Sequence, residues 1–144
     1  MSDSTSAKAK EFLMQIKNLT NDVKRQEEYV ERLRCSLDIS GIAYDKERVQ
    51  SSPEHDKFAK ILGQIEEEER ILEELRTKLV NTRFEILQMI HRMEDKRFRD
   101  VLSIVYVDMK LLREAADIMH FSYSYAREFH IDALFEFHRM YLHE

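Results

Sequence analysis

From Phe12 onward, apolar residues recur at Ile16, Leu19, Val23, Val30, Leu33 and Leu37, with Gln26 in the one remaining slot, so the gaps alternate four and three. A second register of the same kind runs through Phe58, Ile61, Ile65, Glu68, Leu72, Leu75, Leu79, Thr82, Ile86, Met89 and Met93. Such a pattern is the heptad seam of a helix that packs lengthwise against another. A helix this long cannot bury its seam inside a small globule. The two seams must cover each other as an antiparallel hairpin, or each must meet a second copy of the chain. Only two glycines and one proline occur in 144 residues, so there is little of the turn chemistry that strands need. The spacing predicts an all-α fold. Gln26, Glu68 and Thr82 are the polar members of the seams. A polar seam residue either sets register and partner number, at a cost in stability, or sits at a wet spot.

Local signals divide the chain further. Ser4, Thr5 or Ser6 is expected to cap the first helix. Asp38-Ile39-Ser40-Gly41 is expected to end it, with Gly41 in a left-handed cap. Residues 41–52 then form a connector held down by Ile42, Tyr44 and Val49. Ser52-Pro53-Glu54 starts the second long helix, with a cap, a proline at the first helical position and an acid in the first turn. A third helix follows on Phe98, Val101, Leu102, Val105 and Met109, a fourth on Leu112 to Met119, and a fifth from Ser122 or Tyr123 to about Tyr141. The reading is five helices in two parts: a long antiparallel coiled-coil helical hairpin over residues 1–95, and a C-terminal three-helix unit over 96–144.

Composition narrows the function. The formal net charge is -5, without the basic excess that marks many nucleic-acid binders. The acid is concentrated at Glu66 to Glu69, Glu73 and Glu74, which read as a solvated helix face. Cys35 is alone, which excludes an intramolecular disulfide and fits a reducing cytoplasm. The first residues contain no signal-peptide apolar region, and no apolar run reaches the roughly 20 residues that span a bilayer. A cytoplasmic protein with no membrane partner is expected. His91, His120, His130, His138 and His143 form no HExxH and no i,i+4 pair, so no metal is expected; His130 reads as a packing or cap residue. With Gly41 and Gly63 the only glycines, no phosphate-cradling loop exists. The carboxylates lie on solvated faces. No cofactor and no enzymatic activity are expected.

The stretch Leu112 to Leu134, LREAADIMHFSYSYAREFHIDAL, carries the functional signal. It reads as a short helix, a turn at His120-Phe121-Ser122 and a second helix entered through Ser122: a helix-turn-helix, whose second helix lies in the DNA major groove. Ala115 and Ala116 permit close crossing. Ile118, Met119, Phe121, Ala126, Phe129, Ala133 and Leu134 have the spacing to lock the pair. Ser122 caps the second helix, whose first amides can meet a phosphate. Tyr123, Ser124, Arg127, Glu128 and Ile131 are left facing outward, with Tyr125 at the flank and Phe135 near the outer side. Arg127 is suited to a guanine or a phosphate, and Tyr123, Ser124 and Tyr125 to phosphates or bases.

At these residues the chain resembles the promoter-reading region 4 of sigma factors, and more closely phage late-gene transcriptional regulators of the RinA/ArpU kind. The latter resemblance extends over the connector Val49-Gln50-Ser51-Ser52-Pro53 with Asp56-Lys57, the Tyr106-Val107 step, and the run from Ser122-Tyr123-Ser124 through His130 to Ala133-Leu134. It implies a sequence-specific regulator that binds double-stranded promoter DNA and activates phage late or packaging genes alongside RNA polymerase, in a bacterial host. His120 stands where the sigma pattern favours glycine, so the turn must accommodate a side chain. From Lys96 to Glu144 there are seven Lys/Arg against eight Asp/Glu, a net of -1. A homodimer, a polymerase contact or the basic residues of the first helix would then have to strengthen DNA binding. Two other readings share the same sequence features. One is a coiled-coil interaction module that docks on polymerase without touching DNA; the other is a small terminase-like packaging protein.

Overall fold

The computed structural model describes residues 2–45 and 53–143, with side chains over 4–39 and 55–143. The elements are α1 (Ser2–Leu13), α2 (Gln15–Asp45), α3 (Pro53–His91), α4 (Lys96–Leu102) with a π-helical turn Ser103–Val107, α5 (Leu112–Met119) and α6 (Tyr123–Tyr141). Among the described residues there is no strand. The break between α1 and α2 is a single residue. Met14 N donates to Lys10 O at 2.8 Å and Asn18 N to Met14 O at 3.0 Å, so helical bonding runs through it.

Two boundary expectations are corrected. Ser4, Thr5 and Ser6 lie inside α1, which begins at Ser2, and therefore do not cap it. Gly41 does not end the first long helix; α2 continues to Asp45. One interior glycine costs only about 1 kcal/mol, which the surrounding helix outweighs. The expected Ser52 cap and the packing of Ile42, Tyr44 and Val49 lie outside the described residues. The second long helix is described from Pro53 onward.

Contacts group the chain into two compact units, Thr20–Lys78 and Met1–Leu19 with Leu79–Glu144. The first contains the acidic, seamed parts of α2 and α3. Val23, Val30, Ile65 and Leu72 are buried there. The two polar seam residues meet: Gln26 Nε2 donates to Glu68 O at 3.0 Å and to Glu68 Oε1 at 2.7 Å. Gln64 Nε2 donates to Tyr29 Oη at 2.9 Å. The pairs 26–68 and 29–64 advance in opposite senses, so the segments run antiparallel. A shift by one seam position would instead set the Gln26 amide against Ile65 or Leu72, so the pair favours this register. Arg34–Glu69 and Arg76–Glu27 pair on the outside.

The other unit does not follow a division at residue 95. Ala9, Leu13 and Ile16 share one core with Ile86, Ile90 and Met93 of the α3 end and with Val101, Leu102, Tyr106, Val107, Phe129, Ala133, Leu134 and Phe137. The ends of the long helices are therefore walls of the C-terminal core. The physical reason is burial: α6 is apolar on a broad face that α4 and α5 alone do not cover. Polar ties hold the chain reversals. Arg99 Nη1 donates to Met93 O at 2.8 Å, Arg83 Nη1 to Val107 O at 3.0 Å and Tyr141 Oη to Met89 O at 2.7 Å. Each satisfies a carbonyl at or near a helix end or in its last turn.

The α5 end explains how the turn accepts a histidine. His120 takes the left-handed conformation, φ 63°. His120 N donates to Asp117 O at 3.2 Å and Phe121 N to Ala116 O at 2.9 Å, the paired bonds of a Schellman cap. A non-glycine residue there costs about 1–2 kcal/mol. His120→Gly relieves that cost, offset in part by its freer unfolded chain. The expected result is a gain of about 1 kcal/mol, or roughly 3–5 °C in a thermal melt. An unchanged or lower Tm would show that the His120 side chain makes a compensating contact.

Candidate nucleic-acid interface

The surface is built on α5 and α6. Glu114 reaches back to the start of α5, its Oε1 accepting from Leu111 N at 2.8 Å. Leu111 has no side-chain acceptor, so only this half of a capping box forms. Ser122 caps α6: its Oγ accepts from Tyr125 N at 3.1 Å. The first intrahelical bond of α6 runs from Ala126 N to Ser122 O. The amides of Tyr123 and Ser124 therefore precede the helical ladder and point out of its start.

Burial orients α6. Ala126, Phe129, Ala133, Leu134 and Phe137 face inward. Ser122, Tyr123, Ser124, Tyr125, Arg127, Glu128 and Ile131 are all exposed. Ser124, Arg127, Glu128 and Ile131 fall at i, i+3, i+4 and i+7, on one stripe. Tyr125 is less available than its exposure suggests. Its ring stands edge-on to Phe121 at 4.8 Å and lies over Phe129 at 5.9 Å, which anchors it at the flank. Phe135 is half-buried. Ile118 departs from expectation: it is 51% exposed rather than locked between α5 and α6. It lines a shallow groove with Lys96, Arg97, Ile104 and His120, because α5 presents its Ala115 and Ala116 face to the core instead.

Arg113 was not among the residues anticipated from sequence. Its guanidinium carbon stands 4.3 Å from the Tyr123 ring centroid, and that of Arg127 stands 6.0 Å from the same ring. Neither arginine pairs with a carboxylate among the described residues. Two guanidinium groups thus gather on one exposed aromatic at the start of α6, worth about 0.5–1 kcal/mol each in orientation. Only the crossing of α5 over α6 joins them. The sequence hint is weak: Arg113 is in the first turn of the helix preceding a capped helix start.

His130 is on the other side of α6 and takes no part in this surface. Its Nε2 lies 2.7 Å from Tyr106 Oη in a hydrogen bond, and the two rings stack at 5.6 Å. Burial first, and Lys10 second, lower the His130 pKa from 6.5 to about 4. Burial raises that of the Tyr106 phenol. Both are neutral packing groups at ordinary pH. Among the described residues no group of three His, Cys, Asp or Glu side chains could hold a metal ion, and no helix is long and apolar enough to cross a membrane. Cys35 is exposed. No protein family, characterised sequence or solved structure matches the chain.

Proposed function

We propose that the chain is a sequence-specific, non-enzymatic transcription regulator in which α5 and α6 form a helix-turn-helix and α6 enters the major groove of double-stranded promoter DNA. The observation that carries this reading is the joining of Arg113 and Arg127 on Tyr123, beside a capped helix start and an outward stripe of Ser124, Arg127 and Glu128. Guanidinium groups without carboxylate partners, in an acid-rich chain, suit a phosphate backbone and base edges. The resemblance to phage late-gene regulators supports activation of late or packaging genes in a bacterial host, with a coiled-coil hairpin arm contacting RNA polymerase.

The test is fluorescence anisotropy at low salt with duplexes taken from the DNA flanking its own gene. Arg127→Ala weakens binding by about 1–3 kcal/mol. Arg113→Ala reduces the salt slope by about one phosphate contact. Unchanged affinity in Arg127→Ala would sink the assignment. The net charge of -1 over residues 96–144 favours a second reading, docking on polymerase without DNA contact. A complex with DNA that forms only once polymerase is added would support it.

The reading includes a homodimer. Val80, Phe84 and Leu87 of α3 are 65%, 61% and 42% exposed, on one face and away from buried Ile86 and Ile90. Asn81 and Gln88 flank that stripe with uncharged amides. Under two-fold symmetry an antiparallel partner α3 sets Phe84 against Leu87 in both directions, which makes the patch self-complementary. Phe84→Glu places a charge at its centre, and sedimentation equilibrium should show the variant shifted to monomer at concentrations where the parent chain self-associates. A parent chain that is monomeric throughout rejects the dimer.

A further inference from the structure

We infer that the outward stripe of α6 reads a short mixed site, a G·C pair taken by Arg127 and Glu128 and, about two base pairs away, an A·T pair whose thymine methyl meets Ile131. The inference rests on the DNA-binding reading above and gives its ligand a sequence.

Four observations carry it. The stripe contains one side chain of each kind that base edges distinguish: a small hydroxyl at Ser124, a guanidinium at Arg127, a carboxylate at Glu128 and an aliphatic group at Ile131. All four are exposed, and Ile131, at 44%, is a large apolar residue left in water on the same face as a charge pair. Arg127 and Glu128 are sequence neighbours only about 1.5 Å apart in rise, so both side chains can reach the two bases of one pair. Neither has an ion-pair partner among the described residues.

Each chemistry then has one best base partner. A guanidinium bonds O6 and N7 of guanine in a fork. A carboxylate placed near phosphates is repelled unless it accepts a hydrogen bond, and in the major groove the N4 amino group of cytosine donates one. An isoleucine desolvated in the groove finds one apolar partner, the C5 methyl of thymine. Spacing gives the register. Four residues from Arg127 to Ile131 rise about 6 Å along α6, or roughly two steps of 3.4 Å along a strand. Ser124 lies about 4–5 Å toward the helix start from Arg127. It is placed to bond a base or phosphate just outside that core, with Arg113 on the neighbouring backbone.

The experiment is selection of bound duplexes from a random-sequence pool with the full chain, followed by binding of single-site analogues. Expected is enrichment of a core with G·C and A·T pairs about two apart. Replacing that guanine by 7-deazaguanine should weaken the parent chain by about 5- to 150-fold and leave Arg127→Ala unaffected. Replacing the thymine by deoxyuridine, which lacks the methyl, should weaken the parent chain by about fourfold and leave Ile131→Ala unaffected. Replacing the cytosine by an analogue that lacks the N4 amino group should weaken the parent chain and leave Glu128→Ala unaffected. Retention of duplexes without a preferred core, or analogue effects that persist in the matching variants, overturns the inference while DNA binding stands. No retention of any duplex at low salt overturns both.

Discussion

Phe137→Ala lowers the free energy of unfolding by about 3–5 kcal/mol, measured by urea denaturation. Phe137 has no exposed area. Its ring centroid lies 5.8 Å from Phe12 of α1 and 5.0 Å from Tyr141. It therefore ties α1 to the end of α6, and truncation leaves a cavity between them. The same unit positions α6, so under the proposed function the variant also loses duplex affinity at temperatures near its melt. Phe135→Ala is the comparison. Phe135 is only half-buried, and its loss should cost clearly less. Equal effects would show that the core is not arranged as described.

Stability also falls in acid through one residue. The folded His130 takes a proton only near pH 4, whereas an exposed histidine does so near 6.5. Between these values the unfolded chain binds the extra proton and the folded chain does not, so stability rises with pH across that window. The contribution is complete above about pH 6.5 and fully lost below about pH 4. Its size is up to about 3 kcal/mol. The cause is burial beside Tyr106, with Lys10 opposing a second positive charge. Carboxylates titrate in the same range, so the difference between the parent chain and His130→Gln is the quantity to measure. His130→Gln should have the shallower dependence of unfolding free energy on pH from 6.5 to 4. Identical slopes would refute the assignment.

The helices were legible from the residues because seam spacing is local information. Along α2 the positions Val23 and Val30 are buried and Gln26, Leu33 and Leu37 half-buried, while the residues between them are mostly exposed. The turn at His120 to Ser122 separates α5 from α6. Two local signals misled. Serines near the start and a glycine at 41 resemble caps, but a cap residue is decisive only where the helix has another reason to stop.

The outward set on α6 was legible for the same reason as the seams: an amphipathic helix with its buried face known leaves little choice for the other. Arg113 was not legible, because it reaches Tyr123 across a helix crossing rather than along a helix. Gln26 and Glu68 each stood out as a polar residue in an apolar seam. Nothing in the residues said that they belong to each other across 42 positions.

The sequence by itself determined that this chain is helical, where α5 and α6 begin, and which faces most of its helices bury, since these depend on spacing and backbone chemistry within a few residues. The tertiary structure decided which buried face meets which. It joined Gln26 to Glu68, set Ala9, Leu13 and Ile16 against α6 instead of leaving them in the arm, turned Ile118 outward, and brought Arg113 to Arg127. Hydrophobic burial is non-directional, so an apolar stripe does not specify its partner until the whole core has been packed.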